Sequence, residues 1–352
     1  MKAKKVFKVV GITLASIVGI LGVFVAGLAI NGSCFNKYQA PKENNKQWMS
    51  YIKDDTKVSD IVIPGSHDSG TYHMSWLGGT QYCTIKEQLD SGVRYFDLRV
   101  NKTNDDYLIY HDIINGEKFL PILSDIKDFI TLNTSETLIL DFQHFKGGAE
   151  EQVYSYINEY LITNNLAVSK EDSSLTDLEF IDSLTLGSSR GKCILFWGDY
   201  HTGSLSDTSK YLFSRNNDKC TIPNMSLNSC YLSDYNKKSS SDYIKEGLPL
   251  YYENIRSKIT DEGHKGIFVL QGQLTDGVLI FGPYSKEKGH DKNMTSYISD
   301  LETSTDDRLS LTNVIIRDFI DETKANNILR LNHTKGLVKS EAETIFTSTY
   351  LN

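Results

Sequence analysis

Thr84-Ile-Lys-Glu-Gln-Leu-Asp-Ser-Gly-Val-Arg-Tyr-Phe-Asp-Leu-Arg99 holds a helix start, a helix stop and a strand in one short stretch. Thr84 and Glu87 have the spacing of a capping box, in which each side chain accepts from the other's backbone N–H. Gly92 sits where a helix needs a residue free to adopt left-handed geometry. Val93–Leu98 then runs mainly apolar on both faces, as a strand buried in a parallel sheet does. The end of that strand is polar, with Asp97 and Arg99.

The alternation extends in both directions. Short apolar runs occur at Ile61–Pro64, Tyr107–Tyr110, Thr137–Phe142, Lys192–Trp197, Gly266–Leu270 and Asn313–Ile316. Helix signatures lie between them: amphipathic spacing over Ala149–Leu161 and Met294–Leu301, and a second capping box at Thr176-Asp-Leu-Glu179. Strand–helix alternation over some 300 residues without a mid-chain linker predicts an α/β chain folded as one closed barrel. The polar stretch His201–Tyr243 is too long for an ordinary connection and is expected to be an excursion on the barrel rim.

Titratable residues collect at the strand ends. His67 and Asp68 follow the first strand, Asp97 and Arg99 end the second, and His111 and Asp112 follow the third. Asp141, Gln143 and His144 end the fourth, Asp199 follows the fifth, and Asp318 closes the last. In a parallel barrel these ends share one face, where such enzymes keep their active sites. Two histidines suit a displacement needing a base on one side and an acid on the other. Arg99 offers a planar, permanently charged fork that matches two phosphate oxygens. This kit suits metal-independent cleavage of a phosphodiester, because an arginine is a poor neighbour for a bound cation. No nucleophile elbow, Walker loop or dinucleotide fingerprint is present.

The composition is compatible with this reading. The 352 residues are 39% hydrophobic and 23% charged, with 6 Pro and a net charge of −8, which excludes a collagen-like or wholly disordered chain. Four lysines fall in residues 1–8, so the remainder carries 33 of the 37 basic side chains against all 45 acidic ones, a balance of −12. Such a body argues against nucleic-acid binding. Val9–Ile30 is uncharged and long enough to span a bilayer, with the lysines on the side expected to stay cytoplasmic. Residues 1–35 are therefore read as a signal anchor or signal peptide, 36–47 as a polar tether and 48–352 as the catalytic barrel. The body is expected outside the cytoplasm, anchored if the segment is retained and secreted if it is cleaved. Of five cysteines, Cys193 lies in an apolar run suited to the core, while Cys220 and Cys230 could close a short loop by a disulfide.

Several stretches resemble bacterial phosphatidylinositol-specific phospholipase C. They are Trp48-Met-Ser-Tyr-Ile, Asp60-Ile-Val-Ile-Pro-Gly-Ser-His-Asp-Ser-Gly-Thr71, Ile85-Lys-Glu-Gln-Leu, Gly92-Val-Arg-Tyr-Phe-Asp-Leu-Arg99, Tyr110-His-Asp112 and Asn313-Val-Ile-Ile-Arg-Asp-Phe319. Glu136-Thr-Leu-Ile-Leu-Asp-Phe-Gln-His-Phe145 and Gln271-Gly-Gln-Leu-Thr275 are more similar to the X-domain phospholipase-like proteins of the same superfamily. The resemblance implies a distorted TIM-type (β/α) barrel from about Trp48 to Ile320.

By matching position, the resemblance implies His67 as general base toward the inositol 2-hydroxyl, oriented by Asp318. It implies His111 as general acid toward the diacylglycerol oxygen with Asp68 beside it, and Arg99 as the group that stabilises charge on phosphorus, supported by Asp97. In calcium-dependent relatives the Arg99 and Gln143 positions carry acidic ligands, so arginine and glutamine here imply a metal-independent enzyme without a cofactor. The arginine, aspartate and tyrosine that contact inositol in the best-known bacterial enzymes align with Gly198, Gly272 and Leu274, and the basic residue expected near Gln143 is missing. Gln143, His144, Trp197, Asp199 and Gln273 are the alternative headgroup-binding residues, with packing an equal role for Trp197. A phospholipid at a membrane surface is the expected partner, and a monomer the expected state. The alternatives are a glycerophosphodiester phosphodiesterase, which needs an acidic metal site, and an inactive lipid- or surface-binding barrel.

Overall fold

The computed structural model describes residues 12–13, 15–22, 41, 45–104, 106–172, 174–198, 210–216, 223–230, 232, 235, 238–275 and 282–351. Its strands, in chain order, are β1 (Ile63–Ser66), β2 (Tyr95–Lys102), β3 (Tyr107–His111), β4 (Ile114–Lys118), β5 (Thr137–Lys146), β6 (Lys192–Trp197), β7 (Leu212–Asn216), β8 (Leu227–Ser229), β9 (Ile267–Gln271) and β10 (Val314–Arg317). The spatial order is β1-β10-β9-β8-β7-β6-β5-β2, all parallel, and β1 also pairs with β2, so eight strands close into a barrel.

Two expectations are corrected here. Tyr107–Tyr110 is not a buried parallel strand: β3 pairs antiparallel with β2 and with β4, forming a half-exposed hairpin outside the barrel. Closely spaced antiparallel neighbours give the same apolar-aromatic signal as a barrel strand over so short a run. The stretch His201–Tyr243 is not only a rim excursion, because it contributes barrel strands β7 and β8. Leu-Phe-Ser-Arg-Asn and Leu-Asn-Ser carry too few apolar residues to be read as strands. They belong to the barrel because their neighbours supply the ladder.

The capping boxes form as read. Thr84 N–H donates to Glu87 Oε2 at 2.8 Å and Glu87 N–H to Thr84 Oγ1 at 3.3 Å, opening α1 (Ile85–Asp90). Gly92 follows with φ +105°. Alternate strand residues fill two cores. Ile63, Tyr95, Ile139, Ile194, Phe196, Phe213, Leu227, Val269, Val314 and Ile316 point into the barrel, all fully buried. Trp48, Met49 and Ile52 join this cluster, and Trp48 Nε1–H donates to Gly92 O at 3.0 Å. The outward residues Leu98, Leu140, Phe142, Cys193, Leu195 and Trp197 pack under α2 (Phe119–Leu132) and α3 (Glu150–Ile157). Each fully buried aliphatic or aromatic side chain is worth about 1.5–3 kcal/mol. On the other flank α4 (Leu248–Glu262) and α5 (Gly282–Leu301) cover Phe268, Leu270 and Ile315.

Residues 12–13 and 15–22 are helical, and the rest of the apolar Val9–Ile30 segment lies outside the described residues. Among the described residues no helix is long and apolar enough to cross a membrane. Cys83 and Cys193 are free and buried; Cys230 is disulfide-bonded, and Cys220 lies outside the described residues.

Candidate active site

The barrel mouth assembles residues from β1, β2, β3, β5 and β10. His67 follows β1, where Gln81 and Thr80 donate to its carbonyl at 2.8 and 3.1 Å. Gln81 also donates to Arg317 O at 3.0 Å and accepts from Ile320 N–H at 3.1 Å, so one amide ties the ends of β1 and β10 together. Across that tie His67 Nδ1–H donates to Asp318 Oδ1 at 2.7 Å, which leaves Nε2 facing the mouth. The residues after His67, His111 and Asp318 all have positive φ: Asp68 at +44°, Asp112 at +52° and Phe319 at +47°. Aspartate tolerates this region, but a bulky phenylalanine is strained there. Phe319 is held by its N–H on Thr80 O at 2.7 Å and by its ring stacked on Tyr82 at 4.4 Å.

Asp68 is the hub. Its Oδ2 lies 3.4 Å from His67 Nε2 and 3.6 Å from His111 Nε2, and its Oδ1 lies 2.9 Å from Arg99 Nε. His111 Nδ1–H donates to Gly78 O at 2.8 Å, so its Nε2 is the nitrogen turned inward. The two Nε2 atoms are therefore at most about 7 Å apart, a span that fits one phosphoryl group with a hydrogen bond at either end. Arg99 also donates from Nη2 to Asp97 Oδ2 at 2.9 Å and to Gln143 Oε1 at 3.2 Å. The β2–β5 pairing jumps from Leu98↔Phe142 to Arg99↔His144. Gln143 is thus the extra residue of a bulge, and bulges re-aim side chains next to active sites.

Charge follows this packing. Burial opposes a proton on His67, but the carboxylates of Asp68 and Asp318 outweigh it and raise the imidazole to about 9. Burial alone would raise Asp68; Arg99 and the two histidines instead hold it down to about 2. A solvent-open cleft of about 490 Å³ runs past His67, His111 and Asp318, with Leu77, Leu274 and Pro283 as its apolar wall.

One atom each of His67, Asp68 and Asp97 lie within 4.8 Å of one another, as a metal site requires. The Arg99 guanidinium already bridges both carboxylates, and a divalent ion there would face a fixed positive charge. The donor set fits an arginine better than a metal.

The remaining proposed headgroup residues separate. Gln143 joins the cluster. His144 is exposed at the rim beyond the bulge, near enough to depress Asp68 slightly. Gln273 is buried and donates to Gln271 Oε1 at 3.1 Å, and Gln271 donates to Ser229 Oγ at 2.9 Å. Trp197 is not in the pocket. It points out of the barrel, packs on Phe142, Phe145 and Tyr154, and donates to Glu150 Oε1 at 2.8 Å. Its neighbours Ile194 and Phe196 fix the inward parity, which turns an odd-numbered β6 residue outward. Asp199 lies outside the described residues. Sequence reading missed Arg215 of β7, which sits inside the barrel paired with Asp141, and the carbonyl of Gly78. A backbone acceptor leaves no trace in sequence, and Arg215 was hidden in a stretch that did not read as a strand.

Residues 55–197 match the family model described as phosphatidylinositol-specific phospholipase C, X domain. That stretch of the chain is similar to the phosphatidylinositol-specific phospholipase C X domain. The 1-phosphatidylinositol phosphodiesterase of Listeria monocytogenes is 25% identical over 331 residues, covering 89% of this chain and 94% of that protein. Human PI-PLC X domain-containing protein 2 is 33% identical over 135 residues, 29% of this chain and 44% of that one. The solved phosphatidylinositol-specific phospholipase C from Listeria monocytogenes superposes with a TM-score of 0.65 at 22% identity, covering 82% of this chain and 98% of its own. The X-domain match spans β1 to β6 and so includes every residue of the cluster except Asp318.

Proposed function

We propose that the chain is a metal-independent phospholipase C that cleaves phosphatidylinositol or a related phospholipid. The observation that carries this reading is the pair of histidine Nε2 atoms on either side of Asp68, with the Arg99 fork beside them. His67 Nε2 takes the proton from the hydroxyl next to the phosphodiester as its oxygen bonds to phosphorus. His111 Nε2 returns a proton to the glycerol oxygen as its bond to phosphorus breaks. Diacylglycerol and a cyclic inositol phosphate result. Asp318 holds His67 in the tautomer with Nδ1 protonated, and Arg99 meets charge on the non-bridging oxygens. At neutral pH the resting site keeps a proton on His67, so turnover draws on the minor unprotonated form and rises with pH for as long as His111 Nε2 still carries the proton it must donate.

The barrel over 48–352 is read as the catalytic unit, 36–47 as a tether and 1–35 as the anchor or signal that places it outside the cytoplasm. The four lysines before the uncharged run support that placement. The −12 body draws no attraction from anionic lipid, so contact with a bilayer falls to apolar rim residues or the tether. A metal-dependent glycerophosphodiesterase would draw on the His67, Asp68 and Asp97 donor set. Incubating the body with a phospholipid panel, with and without EDTA, separates the two. A cyclic phosphate formed equally in both arms supports the proposal; an EDTA-sensitive linear product defeats it.

A further inference from the structure

Behind the groups that would touch substrate lies a second guanidinium. Arg215 enters the barrel interior from β7 with a side chain 3% exposed, and its Nε and Nη2 reach the two oxygens of Asp141 at 2.5 and 3.1 Å. Asp141 Oδ2 also accepts from Tyr95 Oη at 2.5 Å and from Gln143 Nε2 at 3.3 Å. The other end of that amide, Gln143 Oε1, accepts from Arg99 Nη2. An amide has one donating and one accepting end, so the partner at one end decides what the other presents. A carboxylate at the NH2 end turns the carbonyl of Gln143 toward Arg99. Asp141 has no exposed side-chain surface, and the Arg215 guanidinium lies against its carboxyl group. Stability alone gives no reason for this pair. The ladder partner of Asp141, Phe196, and the next inward residues Ile139 and Phe213 are apolar, and apolar replacements of buried ion pairs are often neutral or stabilising.

We propose that Arg215 is a positioning residue: the relay Arg215–Asp141–Gln143–Arg99 fixes the angle at which the Arg99 fork meets the phosphoryl oxygens. The inference rests on the function proposed above.

The test uses full-length Arg215→Met, Gln143→Leu and the double variant, assayed on phosphatidylinositol and on phosphorothioates with sulfur at either non-bridging position. A fixed fork distinguishes the two sulfur positions. Each single variant is expected to lose about 10- to 100-fold in kcat, as small misplacements of catalytic groups do. The preference between the two phosphorothioates falls toward unity, and the double variant is no worse than the weaker single, the mark of one shared pathway. The proposal is overturned if Arg215→Met lowers the denaturation midpoint but keeps wild-type kcat and stereoselectivity, or if the losses multiply in the double variant. Should Arg215→Met fail to fold, Gln143→Leu, which leaves the Arg215–Asp141 pair whole, decides alone: wild-type kcat and stereoselectivity overturn the relay. If the wild type cleaves no phospholipid, the functional reading fails. The relay is then judged by the ¹⁵N-labelled Arg99 Nε–H resonance, and an unchanged shift in Arg215→Met overturns it.

Discussion

Asp318→Asn keeps the shape of the residue behind His67 and removes its charge. His67 rises from its ordinary 6.5 to about 9, although burial works against it. Three carboxylates supply that rise, and Asp318 is the one in direct hydrogen-bond contact, at 2.7 Å from Nδ1. At an effective dielectric of about 20, a unit charge about 4 Å away is worth about 4 kcal/mol. Asp68 and Asp97 remain, so the variant should lower the His67 pKa by about one to two units. The amide can also turn its NH2 toward Nδ1 and stabilise the wrong tautomer. The corresponding change in a serine-protease triad costs about 10⁴-fold, and a loss of about 10³- to 10⁴-fold is expected here. The assay is kcat/KM on phosphatidylinositol from about pH 5.5 to 9.5, with the cyclic product followed by phosphorus NMR. The rising limb of the wild-type profile reports His67 and the falling limb the loss of the His111 proton; the variant should be slower throughout, with its rising limb displaced one to two units to lower pH. Activity within about threefold of wild type and an unmoved rising limb would refute the assignment of His67 as a base oriented by Asp318.

Arg99→Lys keeps a positive charge but loses the fork that spans Asp68, Asp97 and Gln143, and kcat should fall by about 10²- to 10³-fold with the fold intact. Equal activity in the lysine variant would show that only net charge matters. Because the folded pKa of His67 is raised, its contribution to stability is fully present below pH 6.5 and is lost as pH climbs through about 9. Urea midpoints should therefore decline over that window, and less so in His67→Asn; matching slopes would remove His67 as the cause. Away from the mouth, Glu136→Gln breaks a fully buried pair with Arg94 at 2.9 Å and should cost about 3–5 kcal/mol. Per folded molecule its kcat should equal that of wild type, and a change would mean that this end of the barrel is coupled to the mouth.

The strands and helices that were legible from sequence are those with strong local signals. Val93–Leu98, Thr137–Phe142 and Lys192–Trp197 are long apolar runs, and Thr84 and Glu87 announce their helix by spacing alone. Leu212–Asn216 and Leu227–Ser229 were not legible because their strand character comes from the partners on either side. The same reason kept Tyr107–His111 from being recognised as a hairpin, since pairing direction is a property of two strands.

For the site, the chain itself determined the chemistry: two histidines, an arginine and their aspartates at the ends of strands that a barrel must gather on one face. It could do so because residue type and strand position are local. Tertiary structure alone decided geometry. It placed Asp68 between the two imidazoles, turned His111 with the carbonyl of Gly78, sent Trp197 out into the packing layer and brought Arg215 across the barrel to Asp141. These outcomes depend on a bulge, on left-handed turns, on the parity of a strand and on the register of its neighbours, and none of these is encoded in the residue that it positions.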